Sequence, residues 1–443
     1  MLNVANSIAD GGHNVTILRP YHSGFSIPKD INKKPNIEIL DYIPDHYEPV
    51  HPMFEHVSKG LWYEKPTLFS MPSTAFSFSS LVTSSLATTN RYVLTDKELH
   101  IKLKSRNFDA FVVEIFDLSG FYLNEILEIP AIIGVFSAVR QGPTEQMFGG
   151  VNVLFKDWYA FFWNSVLFGR LFEQQHENYA HLVNTSKTMT EIVTKSSFFM
   201  VNANPYLDFP IPTPPSIVQI GGFTMSKYNA EKLSSEYEKI LSEHDSAVFI
   251  SFGSMTKSSQ MPEHYKAGII QMFKLLPEIT FIWKYEKDDS EFIKQLPNNV
   301  HLKTWVPIFA EQPHNAKMLS QHGGAEIYEK EELSDGKKLA NVIEHIVNNP
   351  RYQKNAEQLR DILKHQPIDP KTVLLSHVEF AARFPNMKSS LVPSLINRDL
   401  VSYYCLDLVL FLASLALFVF FAIAKSISWL YRKFRSSIKD KTA

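Results

Sequence analysis

Cys405 to Ala424 reads CLDLVLFLASLALFVFFAIA, twenty residues with a single charge, Asp407. At about 1.5 Å of rise per residue, such a helix matches the ~30 Å hydrocarbon core of a bilayer. The core helices of soluble domains keep a polar stripe, and this run has none. It therefore predicts one transmembrane helix over 405–424, with a large body on one side and a short tail on the other. Lys425, Arg432, Lys433, Arg435, Lys439 and Lys441 follow the run and assign the tail, 425–443, to the cytosol. The body and the juxtamembrane stretch 386–404 then lie across the membrane. Asp407 sits near enough to the outer end to reach the interface.

That topology needs an export signal. The opening MLNVANSIADGG has no basic start, no long apolar run and no cleavage site, so the sequence implies a removed signal or an N-terminus other than the biological one. Asn184 (NTS) fits a glycosylation acceptor. Asn14 (NVT) falls in a predicted strand and does not. The net charge of −2 argues against a nucleic-acid partner, which calls for a clustered basic face. One cysteine, Cys405, excludes an internal disulfide framework.

The body reads as two α/β series. Leu2, Val4, Ala5, Ile8 and Ala9 have helical spacing, Gly11 and Gly12 stop the helix, and HNVTILRP is a strand. FDAFVVEIFD and PAIIGVFSA are further strands around a helix over 120–129. Residues 145–200 are aromatic-rich helices too polar to span a membrane. NPYLDFPIPTPPSIVQIGG holds five prolines and predicts a stiff linker over 204–225 without regular structure, separating domains 1–203 and 226–385. AVFISFGS, TFIWKYE and VHLKTWVP are the strands of the second series, with a helix over MPEHYKAGIIQMFKLLP.

Candidate chemistry lies in the second series. SFGSM places Ser251, Gly253 and Ser254 at a strand–turn–helix junction, where backbone N–H groups favour a phosphate, although many such turns are only turns. Trp305 can stack on a planar base, but alone it reads as a core tryptophan. Glu311 and Gln312 offer groups for sugar hydroxyls, or simply form a solvated turn.

Taken in order, GGHNVTIL, NPYLDFPIPTPPSIVQIGG, FISFGS, FIWKYE, NVHLKTWVP, PIFAEQPHNAKML and the anchor with its basic tail resemble the UDP-glycosyltransferases, and most closely the membrane-bound UDP-glucuronosyltransferases. The resemblance covers nearly the whole chain. It implies a GT-B fold, two Rossmann-like domains facing a cleft, with the acceptor domain first and the UDP-sugar domain second. It also implies inverting transfer of glucuronic acid or a hexose from UDP to a small lipophilic acceptor, with neither metal nor cofactor beyond the UDP-sugar co-substrate. By position, Ser251, Gly253 and Ser254 fall on the phosphate side, Trp305 on the uracil, and Glu311 and Gln312 on the sugar hydroxyls. Glu114 matches the acidic partner of the base histidine, with Asp117 as the fallback. The closing KDKTA, with Lys439 and Lys441, resembles a dilysine retrieval signal and implies the endoplasmic reticulum membrane.

Two departures stand against activity. The family's base histidine precedes the helix that here begins at Leu2, together with the central first strand, whose loss leaves a gap flanked by unpaired strands. His13 stands at the wrong end of that helix. In TWVPIFAEQPHN, Pro307 runs directly into Ile308, so an internal segment of the UDP-sugar domain is missing there. HGG at His322–Gly324 comes after Glu311 and Gln312 and reads as a helix C-cap. The expectation is a shortened transferase without activity as it stands. The alternative is a non-catalytic relative that pairs with full-length transferases or holds lipophilic ligands.

Overall fold

This computed structural model describes residues 1–22, 33–45, 47, 52–64, 73–137, 158–210, 213–225, 233–253, 256–304, 312–385 and 406–439. Helix α1 (Leu2–Asp10) forms because Val4, Ala5, Ile8 and Ala9 bury one helical stripe, and Gly12, at φ 89°, turns the chain out of it. It leads into β1 (Val15–Pro20), which pairs in parallel with β2 (Ile37–Tyr42). Helices α2 (Pro52–Tyr63), α3 (Ser73–Thr95) and α4 (Lys97–Lys104) follow. A second parallel sheet then runs β3 (Ala110–Glu114), β4 (Ala131–Phe136), β5 (Phe198–Val201) and β6 (Ile217–Gln219) in that spatial order. Its connections carry α5 (Ser119–Leu127), α6 (Trp158–Ala180) and α7 (Met189–Val193).

Strands β1 and β2 form their own two-stranded sheet. The gap expected between β1 and β3 is present, and no backbone hydrogen bond among the described residues joins the two. Burial follows pairing. Every residue of β4, flanked on both sides, is buried, whereas every residue of β1 is half-buried.

The expectation of an unstructured linker fails at β6. The prolines end at Pro215, so Ile217 and Val218 keep their amide hydrogens and extend the sheet beside β5.

The second half begins with α8 (Ser235–Leu241) and builds a three-stranded parallel sheet from β7 (Ser246–Ile250), β8 (Ile279–Lys284) and β9 (Val300–Lys303), with β8 central. Helix α9 (Glu263–Leu275) links β7 to β8 and sets Phe273 against Phe281 and Trp283, all fully buried. Helix α10 (Ser290–Ile293) leads to β9. Then come α11 (Gln312–Gln321), α12 (Gly336–Asn348), α13 (Pro350–Lys364) and α14 (Pro370–Arg383). Although α14 follows the second sheet in sequence, it packs on the first. Leu374, Val378 and Ala381 share a core with Val4, Ile133 and Met200, while Lys371 and Glu379 pair with Asp10 and His13 of the α1 region.

These elements make one unit, Met1–Leu391; Val392–Ala443 is a second. The second unit holds α15 (Leu406–Lys439), in which Val409–Trp429 is long and apolar enough to cross a membrane. This overlaps the expected span 405–424, starting four residues later and ending five residues later.

Candidate active site

In a doubly wound sheet, ligands sit beyond the carboxyl ends of the strands, and Glu114 is the last residue of β3. Its carboxylate accepts hydrogen bonds from the Ser137 hydroxyl and, at 3.3 and 3.4 Å, from the Phe116 and Ser137 N–H groups. Burial pushes its pKa up, while these donors and the Met1 ammonium pull it down; burial wins.

Asp117, three residues on, is held differently. Asn90 Nδ2 lies 2.9 and 3.0 Å from its two oxygens, and the Ser119 N–H donates to it at 3.0 Å. Asn90 is fully buried and also contacts the Tyr179 hydroxyl. His22 Nε2 stands 3.8 Å from Asp117 Oδ2. Burial lowers the pKa of His22 against the opposing pulls of that carboxylate and of a backbone hydrogen bond at Ser85. His22, Asn90 and Ser137 were missed in the sequence. The available signal was RPYH, a histidine placed immediately beyond a strand's carboxyl end.

On the donor side, Ser251 Oγ accepts the Gly253 N–H at 3.3 Å. Gly253 has φ 91°, a conformation that suits glycine. Lys284, buried at the end of β8, donates to the Gly253 carbonyl at 2.6 Å, and its burial lowers its pKa. The expected helix does not begin at this turn. A 3₁₀ turn over Ser258–Gln260 intervenes, and α9 starts at Glu263. The neighbour of the turn comes from the first half instead. Trp62 of α2 lies edge-on to Phe252, ring centres 5.0 Å apart, and donates to the Lys257 carbonyl at 2.8 Å. Ser254, Trp305 and Glu311 lie outside the described residues, as does the side chain of Gln312, the first residue of α11.

HGG caps α11. Gly323, at φ 69°, donates to the Ser320 carbonyl and Gly324 to that of Leu319, the paired bonds of a Schellman turn.

Two parallel α/β halves joined by a returning C-terminal helix define a GT-B glycosyltransferase fold. Among solved structures the chain is similar to Medicago truncatula UGT71G1 complexed with UDP-glucose, at a TM-score of 0.55 and 14% identity, over 87% of this chain and 94% of that one. The chain belongs to the UDP-glucoronosyl and UDP-glucosyl transferase family, whose model matches residues 151–308 and 304–441. It is 24% identical to Mus musculus UDP-glucuronosyltransferase 1A7 over 492 residues, covering 98% of this chain and 89% of that protein. Against Homo sapiens UDP-glucuronosyltransferase 1A10 the identity is 24% over 489 residues, with the same coverage. Both alignments exceed the 443 residues of this chain, so the relatives carry stretches that it lacks. The two family matches meet at 304–308, where Pro307 runs into Ile308.

Proposed function

We propose that the completed form of this chain transfers glucuronic acid or a hexose from UDP to a small lipophilic hydroxyl acceptor, with inversion and without a metal. The acceptor oxygen bonds to the anomeric carbon as the carbon–oxygen bond to UDP breaks and UDP leaves with the electron pair. The acceptor proton passes to a base held beside Glu114. The observation that carries this reading is the position of Glu114, at the carboxyl end of β3, with its carboxylate held by Ser137 and the Phe116 N–H. Ser251, Gly253 and Ser254 would face the diphosphate, Trp305 the uracil, and Glu311 and Gln312 the sugar. No cofactor beyond the UDP-sugar is invoked. The body faces the lumen of the endoplasmic reticulum, with one transmembrane helix and a cytosolic tail.

The 443-residue chain itself is inactive in this reading, for want of the segment between Pro307 and Ile308. Incubation with radiolabelled UDP-glucuronic acid or UDP-glucose and a panel of phenols tests both parts. No conjugate is expected from the chain as it stands, and conjugate is expected once a relative's segment is inserted at the join and its N-terminal residues are placed ahead of Met1. Turnover by the unaltered chain would overturn the inactivity; silence of the restored one, though folded, would overturn the assignment of Glu114. The non-catalytic alternative, a partner for full-length relatives, draws support from the open edge of β7. It predicts co-purification with such a relative through that edge, abolished by proline at Val248.

A further inference from the structure

Helix α2 comes from the first half and packs on α3 there. Its Trp62, however, belongs to the core of the second half. The indole is 2% exposed and shares one apolar cluster with Tyr265, Ile269 and Trp283. Among the described residues it is the one member of that cluster from the first half.

The fastening is polar as well as apolar. A buried indole commits its N–H to a partner, and Trp62 Nε1 donates to the Lys257 carbonyl at 2.8 Å. Ser58 lies one turn earlier on the same helical face, and its hydroxyl accepts the Lys257 N–H at 3.4 Å. Both backbone groups of Lys257 are thus held by α2. The helix is held in return. Lys330 Nζ donates to the Leu61 and Glu64 carbonyls at 3.0 Å each, groups that a helix C-terminus leaves open.

The segment so fastened closes on the turn at Gly253. Next to Lys257, Ser258 Oγ donates to the Lys284 carbonyl at 2.7 Å, and Lys284 Nζ donates to the Gly253 carbonyl. Glycine at φ 91° is free to leave that conformation, so the contacts around it decide whether it stays. Those contacts come from two sides: β8 of the same half through Lys284, and α2 of the other half through Trp62 against Phe252.

We infer that Trp62 is a positioning residue for this turn: through α2, the first half sets the place of the Phe252–Gly253 backbone and with it the affinity for a nucleoside diphosphate sugar. The inference rests on the proposed reading of Ser251, Gly253 and Ser254 as the diphosphate side. Trp62 acts through backbone and not by touching ligand, since protein covers the indole almost completely.

Amide exchange on the full 443-residue chain is the first test. Trp62→Ala is expected to speed exchange at Gly253 and Lys257 by about tenfold or more, while the amides of β4 and β5 keep their rates. Equal acceleration at β4 and β5, or none at Gly253, overturns the proposal. Should Trp62→Ala not fold, Lys330→Met frees the end of α2 without opening the core, and about fivefold faster exchange at Lys257 is expected; an unchanged Lys257 overturns the fastening. The second test uses the form completed at Pro307–Ile308 and ahead of Met1. There Trp62→Ala should raise KM for the UDP-sugar by about tenfold with kcat and the acceptor KM unchanged, and Trp62→Phe, which keeps a ring against Phe252, should recover most of the loss. A rise in the acceptor KM instead overturns the assignment to this turn. Faster exchange at Gly253 with no change in the KM for UDP-sugar leaves the fastening in place and overturns the placing of the diphosphate there.

Discussion

Among the described residues the two halves each present open parallel edges, and they present them differently. Around the gap between β1 and β3, α1 and α14 cover one face and the cluster under α3 and α5 the other, so no residue of either strand is fully exposed. In the second half, β7 alternates half-buried with exposed, and Phe249 is 43% exposed. A sheet that lacks only a strand keeps its helical covers and forfeits mainly backbone hydrogen bonds. A sheet that lacks a strand with its helix loses the cover as well, and apolar side chains meet water. The first condition can be repaired by a peptide. The second requires a whole α/β segment.

The largest effect expected from closing the second edge is on ligand affinity. Inserting a relative's segment between Pro307 and Ile308 should tighten UDP binding by roughly a thousandfold or more, since two or three charged or bidentate hydrogen bonds of ~1.5–3 kcal/mol each are regained. Thermal shift at millimolar UDP reads this directly. An insert that folds without any UDP-dependent shift would mean that the join is not where the donor pocket is broken.

Within the second sheet, Trp283→Ala on central β8 should cost about 3–5 kcal/mol, and Phe249→Ala on β7 less than about 0.5 kcal/mol. Similar losses in urea unfolding would erase the distinction between paired and bare strands. In the first half, Glu114→Gln in the completed enzyme should lower the rate by about 10²-fold with UDP affinity unchanged. Loss of folding instead would make Glu114 structural.

The smallest effects are pH dependences, and they carry opposite signs. Glu114 is raised by burial, so its contribution to stability is present below the unfolded pKa and declines as pH rises through the folded value. Glu125 is also opposed by burial, but Lys187 and Lys195 outweigh it and hold its pKa down. Its contribution is present above the unfolded pKa and is lost as pH falls through the folded value. Between about pH 6 and pH 3, Glu125→Gln should therefore flatten the acid-side decline in Tm, and Glu114→Gln should steepen it. Identical profiles for the two variants would remove the argument.

Much of this was legible in the chain. Helix α1 and β1 were readable because Gly11 and Gly12 separate a helical from an alternating pattern, and the strands of the second half announce themselves through apolar runs such as TFIWK. The gap beside β1 followed from the family resemblance, which places a central strand ahead of the helix at Leu2. The destination of α14 did not, since the spacing of Leu374, Val378 and Ala381 reports that a helix has an apolar face and not which sheet receives it. Strand β6 was hidden by the prolines ahead of it. The meeting of His22 with Asp117 joins residues 95 positions apart, a relation fixed only by the fold. The helix expected over MPEHYKAGIIQMFKLLP is present as α9, with Pro262 as its N-cap, although it does not begin directly at SFGSM.

The return of α14 also has a bearing on biosynthesis. About 150 residues separate β6 from α14, so at ~5–20 residues per second a ribosome makes the covering helix roughly 8–30 s after the first sheet is complete. During that interval Val4, Ile133, Met200 and Val218 lack their lid. The first half is thus a client for chaperones while the second is being translated, and a nascent chain stalled before Pro370 should remain bound to them.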